Sequence, residues 1–126
     1  MKFLIVDNDM TRIRTFRTIL SSLGHKAGDV ESIEGGEAAL NALKRKKFNC
    51  AMINFELPKM DGLKLLTEIR GSMALKTLPV IIFSSQSSRE NVMAAMSAGA
   101  SSFIVHPCSV SDVEEALKKI EPKKQQ

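Results

Sequence analysis

The sequence predicts one α/β domain, in which a five-stranded parallel sheet is covered by five helices. Short apolar runs alternate with amphipathic stretches along the chain, and this alternation is typical of strands followed by helices. Parallel strands need crossover connections, and right-handed crossovers place helices on both faces of the sheet. With 126 residues and 44% hydrophobic content, the chain can bury about two-thirds of its unfolded surface without metal or disulfide support.

The first strand is predicted at residues 2–6, where the run KFLIV is continuously apolar. Ile13, Phe16 and Leu20 then recur at helical spacing, and Gly24 follows at a place where helices commonly end. The second strand, predicted at about residues 26–31, contains Gly28 and has the weakest strand pattern of the five.

The second helix carries Ala39 and Leu43 and ends in the basic run at residues 44–47, whose cations favour the negative end of the helix dipole. We interpret this run as a solvated helix end. The chain has no Tyr or Trp, so bases have few side chains to stack on and nucleic-acid binding is not expected. The third strand is predicted at residues 50–53 and the third helix at residues 62–70.

Two more strand and helix pairs complete the pattern. The fourth strand is predicted at residues 79–83, and a serine-rich loop leads from it into a helix at residues 89–98. Met93 and Met96 of that helix are expected to pack in the core. The fifth strand and the last helix follow, and together these elements predict one domain at residues 1–121 with a polar tail at residues 122–126. The predicted bounds of the last two elements are residues 102–105 and 110–120.

Nothing in the sequence predicts secretion or membrane insertion. The N-terminal apolar run is short and is interrupted by Asp7 and Asp9, and no stretch approaches ~18 apolar residues. Cys50 and Cys108 lack the paired spacings of zinc or redox sites, so both are predicted to be free thiols. We therefore expect a cytoplasmic protein.

Polar residues follow four of the five predicted strands. The carboxyl ends of parallel strands meet at one edge of a sheet, and functional groups gather there near the point where the strand order reverses. We expect one crevice to be formed by these residues: Asp7, Asn8, Asp9, Asn54, Phe55, Glu56, Ser84, Ser85, His106 and Pro107.

These segments resemble the receiver domains of response regulators, the phosphoacceptor domains of two-component signalling and chemotaxis. The resemblance covers essentially the whole chain and is carried by FLIVDND, LPKMDG, PVIIFSS and AGASSFIVHP, in this order and at similar intervals. It implies a doubly wound, flavodoxin-like sheet with the receiver topology.

The same resemblance shows where this chain departs from the family. Asp7 matches the first member of the family's acidic pair, whereas Asn8 replaces the second, which usually coordinates magnesium. Asn54 stands at the position of the phosphoaccepting aspartate. Ser84 matches the hydroxyl residue that contacts the phosphoryl group, and His106 replaces the lysine that reaches toward its oxygens.

Two further positions follow from the resemblance. Phe103 matches the aromatic residue that switches rotamer in many receivers, although it lacks a hydroxyl group. Pro107 matches a position that commonly follows a cis peptide bond, whereas X-Pro bonds in general are cis in only about 5–6% of cases.

The substitutions predict a degenerate phosphoacceptor pocket. An acyl phosphate forms on a carboxylate oxygen, and the amide of Asn54 is a far weaker nucleophile. Mg²⁺ prefers anionic oxygen ligands, so magnesium binding is expected to be weak or absent and no cofactor is predicted. We hypothesise that hydrogen bonds hold the pocket together instead, among Asp7, Asn8, Asn54, Ser84 and His106.

Several of these residues have alternative interpretations. Asn54 would also serve as an ordinary loop amide, and His106 as a partly exposed loop residue rather than a pH-responsive partner of Asp7. Asp9 or Glu56 would supply an acid or a metal ligand in place of the missing carboxylates, but each side chain starts from a different backbone position. The serine-rich loop beside Ser84 and Ser85 would suit non-covalent binding of an anion.

The predicted function is that of a phosphorylation-independent receiver, a protein-interaction module rather than an enzyme. The resemblance implies a protein partner, such as a histidine kinase or another signalling protein, on the face formed by residues 89–121. The alternative is an active, magnesium-dependent phosphoacceptor that uses an unorthodox acid, or a receiver inactivated by engineering at Asn8 or Asn54.

Overall fold

Five parallel strands form one sheet in the computed structural model, which describes residues 1–86 and 88–120. The strands are β1 (Phe3–Val6), β2 (Val30–Ile33), β3 (Cys50–Asn54), β4 (Val80–Ser84) and β5 (Ser102–Val105). The helices are α1 (Met10–Ser22), α2 (Gly36–Arg45), α3 (Gly62–Arg70), α4 (Arg89–Ser97) and α5 (Val110–Ile120). The sheet order is β2-β1-β3-β4-β5, which confirms the predicted doubly wound fold.

Both faces of the sheet are covered, because successive side chains of a strand point to opposite sides. In β1, Leu4 and Val6 pack in one buried cluster with residues of α2 and α3. Phe3 and Ile5 pack in a second cluster with residues of α1 and α5. This arrangement explains why the central strands are apolar throughout rather than alternating.

The prediction for the second strand is wrong in its bounds. Residues 27–29 form a short 3-10 helix, and β2 begins at Val30, which pairs with Phe3 of β1. This strand lies at the edge of the sheet, and only Val30 is fully buried in it. Because an edge strand needs few apolar residues, its sequence gives little signal, whereas Gly28 and Asp29 favour a turn.

Other boundaries shift by one residue, and two of these shifts concern the crevice. β3 continues through Asn54, and β4 runs from Val80 to Ser84 instead of starting at Pro79. Asn54 and Ser84 are thus the last residues of their strands rather than loop residues. Their backbones are fixed by pairing with neighbouring strands, Asn54 opposite Phe83 and Ser84 opposite Val105.

Met93 and Met96 do not pack in the core, contrary to the prediction. Their relative exposures are 57% and 45%, and in α4 the small residue Ala95 is buried instead. Helical spacing does not distinguish these cases, because two exposed residues on one helix face have the same spacing as two buried ones.

The basic run at residues 44–47 lies at the end of α2 and in the residues that follow it. The basic run is exposed, and Lys46 pairs with Glu31 at 2.9 Å. No helix in the described part of the chain is both long and apolar enough to cross a bilayer. The predicted tail, residues 122–126, and the last residue of the predicted domain lie outside the described residues.

Candidate functional site

Three buried polar residues meet at the carboxyl edge of the sheet. Asp7 directly follows β1, Asn54 ends β3 and Ser84 ends β4, and their exposures are 0%, 2% and 0%. The chain leaves β1 to form β2 on one side and later returns to form β3 on the other. The crevice therefore lies at the switch point where doubly wound sheets commonly place their sites.

The carboxylate of Asp7 is the centre of a dense hydrogen-bond network. Asn54 Nδ2 donates to Asp7 Oδ1 at 3.0 Å, and the backbone N–H groups of Asn8 and Asp9 donate to the same oxygen at 2.7 and 3.2 Å. The guanidinium of Arg12 binds both oxygens, with Nε 2.7 Å from Oδ2 and Nη2 3.0 Å from Oδ1. Asp7 thus accepts five hydrogen bonds.

Arg12 is the residue that sequence reasoning missed. It lies in the first turn of α1, where Asp9 caps the helix by accepting from the backbone N–H groups of Thr11 and Arg12. Its guanidinium is also 3.4 Å from Asp9 Oδ2. A buried carboxylate needs a compensating charge, and Arg12 is the first cationic residue that follows Asp7 in the sequence.

The opposite charges of Asp7 and Arg12 stabilise each other's ionised form. Burial by itself would raise the pKa of Asp7, but hydrogen bonds from Arg12 and Asn54, with the positive charge of Arg12, outweigh it and hold the pKa below its usual value. The hydrogen bond to Asp7 raises the pKa of Arg12. Asp7 is therefore a carboxylate and Arg12 a guanidinium at neutral pH.

Both ends of the Asn54 amide are engaged. While Nδ2 donates to Asp7, Oδ1 accepts from the backbone N–H of Glu56 at 3.0 Å. Ser84 Oγ donates to the carboxylate of Glu56 and accepts from the backbone N–H of Gln86. Asn54 and Ser84 are therefore connected through the turn that follows β3.

His106 lies beside the network but not in it. Its ring stacks on Phe16 with a centroid distance of 5.8 Å and meets the edge of Phe83 at 6.5 Å. Its Nδ1 is buried and has no hydrogen-bond partner among the described residues. Burial, followed by the charge of Arg12, lowers the pKa of His106, against the weaker opposing effect of Asp7 and Asp9.

The hypothesised hydrogen-bond set is therefore correct only in part. Asp7 and Asn54 are bonded as expected, but Ser84 bonds to Glu56, Asn8 contributes only its backbone N–H, and its side chain is exposed. His106 makes no hydrogen bond to Asp7, whose five hydrogen bonds come from Arg12, Asn54 and the backbone.

The remaining predicted residues lie around the crevice. Ser85 and Pro107 are exposed on the loops after β4 and β5, and the His106–Pro107 bond is cis, as the resemblance implied. Phe103 is half-buried, and its ring centroid is 6.4 Å from that of Phe55.

Comparison with known proteins relates this chain to a protein family. Residues 3–118 match the family described as the response regulator receiver domain. The chain is 34% identical to the chemotaxis protein CheY-3 of Vibrio cholerae over 120 residues, which cover 95% of this chain and 91% of that protein.

Solved structures agree on the fold. The structure of the chemotaxis protein CheY4 of Vibrio cholerae matches with a TM-score of 0.84 at 21% identity, covering 95% of this chain and 98% of that one. The receiver domain of a sensor histidine kinase from Pseudomonas aeruginosa matches with a TM-score of 0.83 at 19% identity. The match covers 94% of this chain and 95% of that one. That structure holds a magnesium ion coordinated in its active site cleft.

Proposed function

The chain belongs to the response regulator receiver domain family, and we propose that it acts in two-component signalling as a phosphorylation-independent interaction module. In this proposal the α/β scaffold presents a surface to a protein partner, and binding rather than phosphoryl transfer controls its conformation. The proposal includes a cytoplasmic location and no enzymatic activity of its own.

The observation that carries the proposal is the amide at residue 54. Asn54 is the last residue of β3, is buried, and uses both of its polar atoms in hydrogen bonds. Formation of an acyl phosphate requires a carboxylate nucleophile, and an amide held in this way is neutral and already bonded. The family resemblance aligns the phosphoacceptor position with this residue.

The acids near Asn54 favour the proposal over an unorthodox phosphoacceptor. Asp7 is bound on both oxygens by Arg12, Asp9 caps α1, and Glu56 accepts from Ser84. A carboxylate that attacks a phosphodonor would first have to give up these contacts. Each of the three acids is therefore a poor candidate for the nucleophile.

The donor set also does not fit a magnesium ion. Mg²⁺ requires near-octahedral oxygen coordination, whereas the one fully buried carboxylate of the crevice is occupied by a guanidinium and by an amide N–H. Asn8 and Asn54 supply neutral groups where anionic ligands would be needed. We propose that the site works without a divalent ion.

The partner surface of the proposal is the face formed by residues 89–121, the last of which is outside the described residues. Exposed apolar side chains support this choice, because Met93, Met96 and Val105 lie in α4 and β5 and are at least 43% exposed. Methionine suits adaptable contacts with a protein surface. The partner class is a histidine kinase or another signalling protein.

Intact-mass measurement after incubation with acetyl phosphate and magnesium tests the absence of phosphoryl transfer. We expect no added phosphoryl group on this chain, while a receiver that has an aspartate at the equivalent position gains one in the same buffer. A stable added phosphoryl group would contradict the proposal. The variants Asp7→Asn, Asp9→Asn and Glu56→Gln would then identify the acid that carries it.

Affinity capture from the native cell tests the interaction surface. The double variant Met93→Glu, Met96→Glu is expected to lose a partner that the unmodified protein retains with or without a phosphodonor. The control is Met73→Glu, because Met73 is 83% exposed but lies outside residues 89–121. Equal capture by both variants would exclude this face.

A further inference from the structure

The guanidinium of Arg12 occupies the acidic part of the crevice. It binds both oxygens of the fully buried Asp7 and also lies 3.4 Å from Asp9. A planar guanidinium matches a carboxylate in two parallel bonds, which gives the pair both strength and a fixed geometry. The Arg12 side chain is 25% exposed, whereas that of Asp7 is fully buried, so Arg12 is the solvent-facing member of the pair.

We propose that Arg12 is a resident cation, which neutralises Asp7 from within the chain and thereby closes the crevice to divalent metal ions. This inference rests on the proposed metal-independent function and names the residue responsible for it. Arg12 is a specificity-determining residue in this sense, because it decides which cation the carboxylate accepts.

Two features make this exclusion effective. A divalent ion that approached Asp7 would meet a positive charge already bonded to both carboxylate oxygens, and like charges at contact distance repel. Arg12 is also held from its other side by Asp9 and by the first turn of α1. Moving it aside would break these contacts together, so the ion would have to replace several bonds at once.

The rest of the crevice would accept an oxygen-seeking ion if Arg12 were absent. Asp7 would then present an uncompensated carboxylate, and the carboxylates of Asp9 and Glu56, both of which act electrostatically on Arg12, would remain nearby. Mn²⁺ and Mg²⁺ take carboxylate and water oxygens as ligands. Asn8 and Asn54 would weaken this site without abolishing it.

The test is a titration with Mn²⁺, followed by the paramagnetic broadening of backbone amide signals near Asp7. We expect Arg12→Met, which keeps most of the aliphatic stem and removes the donors, to bind Mn²⁺ at least tenfold more tightly than the unmodified protein. Arg14→Met is the matched control, because Arg14 is an exposed arginine of the same helix and its removal should leave the titration unchanged. Adding Asp7→Asn to Arg12→Met should cancel the gain.

Loss of Arg12 leaves a buried charge unpaired and destabilises the variant, and a second measurement serves where the variant is too unstable for spectra. In that case the melting temperature is measured against Mn²⁺ concentration, because an ion that binds only the folded state raises it. We expect a rise for Arg12→Met that is absent for the unmodified protein and for Arg14→Met. Mn²⁺ binding of equal strength in all three proteins, or no response of Arg12→Met in either measurement, would overturn the inference.

These outcomes are separate from those of the proposed function. If the unmodified protein takes up a phosphoryl group without a divalent ion, the proposed function fails and the role of Arg12 stands. If Arg12→Met does not respond to Mn²⁺ while acetyl phosphate still adds nothing to the unmodified chain, only the inference about Arg12 fails.

Discussion

His106 has a buried Nδ1 with no hydrogen-bond partner in the described part of the chain, and its ring packs against Phe16 and Phe83. Burial and the charge of Arg12 lower the pKa of His106, whereas the unfolded chain keeps the ordinary value of ~6.5. Below that value the unfolded state therefore binds the proton more readily than the folded state does. The contribution of His106 to stability is complete above pH ~6.5 and is lost as the pH falls toward its folded pKa.

The variant His106→Phe should keep the contacts with Phe16 and Phe83 and remove this titration. Urea unfolding at a series of pH values between about 5 and about 7.5 should give a flatter dependence of the unfolding free energy for the variant than for the unmodified protein. Parallel curves for the two proteins would show that His106 does not contribute to the pH dependence.

A carboxylate at residue 54 would disturb the site electrostatically. In Asn54→Asp, the donor that lies 3.0 Å from Asp7 Oδ1 becomes a second acidic group, and two adjacent carboxylates resist simultaneous ionisation. We expect a loss of about 1–3 kcal/mol in unfolding free energy at neutral pH, which shrinks in acid as one carboxyl takes up a proton. The comparison is made by urea unfolding at neutral and acidic pH.

Asn49→Asp is the matched control for this change. Asn49 is exposed, and its Oδ1 accepts from the backbone N–H of Lys2, a contact that an aspartate keeps. Its effect should stay within about 0.5 kcal/mol, as for most surface substitutions. An equal loss in both variants would mean that the proximity of Asp7 is not the cause.

The residues that line the crevice could be predicted from the sequence, but the hydrogen bonds among them could not. Asp7, Asn54 and Ser84 each end or follow an apolar run, so the rule for strand ends identified them. The partnerships of Arg12 and Glu56 depend on how far a side chain reaches from a helix or a turn. One-dimensional spacing does not contain that information.

At the level of elements, the close approach of α3 to the end of β3 requires glycine. A Cβ atom added to Gly62 would lie 2.3 Å from the carbonyl oxygen of Asn54 and 2.9 Å from the Cα of Phe55. The backbone N–H of Gly62 also donates to the carbonyl of Phe55 at 3.0 Å. The end of β3 and the loop that follows it are therefore pressed against the first turn of the helix.

Gly62→Ala should push α3 and this loop apart. We expect a loss of about 1–3 kcal/mol in unfolding free energy, as for other cases of overpacking, together with shifted amide signals at Asn54. In the control Gly71→Ala, the nearest atom to the new Cβ is 3.4 Å away, so that variant should be nearly neutral. Similar losses in both would contradict the steric explanation.

Elements with long or fully buried apolar patterns were predicted within about one residue, as the third helix illustrates. The edge strand β2 was misplaced because its pairing with β1 is a tertiary contact and only Val30 is fully buried. The methionines of α4 were misplaced for a related reason. Spacing shows which residues share a helix face, but it does not say whether that face meets the sheet or the solvent.

At the scale of the whole molecule, the reactivity of the Cys50 thiol measures how often the protein unfolds globally. It lies in β3 between two other strands and is fully buried, and burial raises the pKa of its thiol to about 12. Because the thiolate is the reactive form, Cys50 should react with a thiol reagent only when the sheet opens. Cys108 is half-buried and would also react, so the substitution Cys108→Ser leaves Cys50 as the thiol whose labelling is measured.

In Cys108→Ser, labelling of Cys50 should therefore proceed at the rate set by global unfolding and accelerate in parallel with it as urea is added. Mass spectrometry after timed quenching gives that rate. Labelling as fast as that of a small free thiol in native buffer would indicate that β3 is exposed by local motion.

The double contact between Arg12 and Asp7 also has an evolutionary consequence. An Asn codon becomes an Asp codon by a single nucleotide change, so a carboxylate at residue 54 is genetically close at hand. Such a mutant would still encode the arginine that covers Asp7. If Arg12 excludes divalent ions as proposed, a lineage moving toward metal-dependent phosphoryl transfer would need changes at both codons.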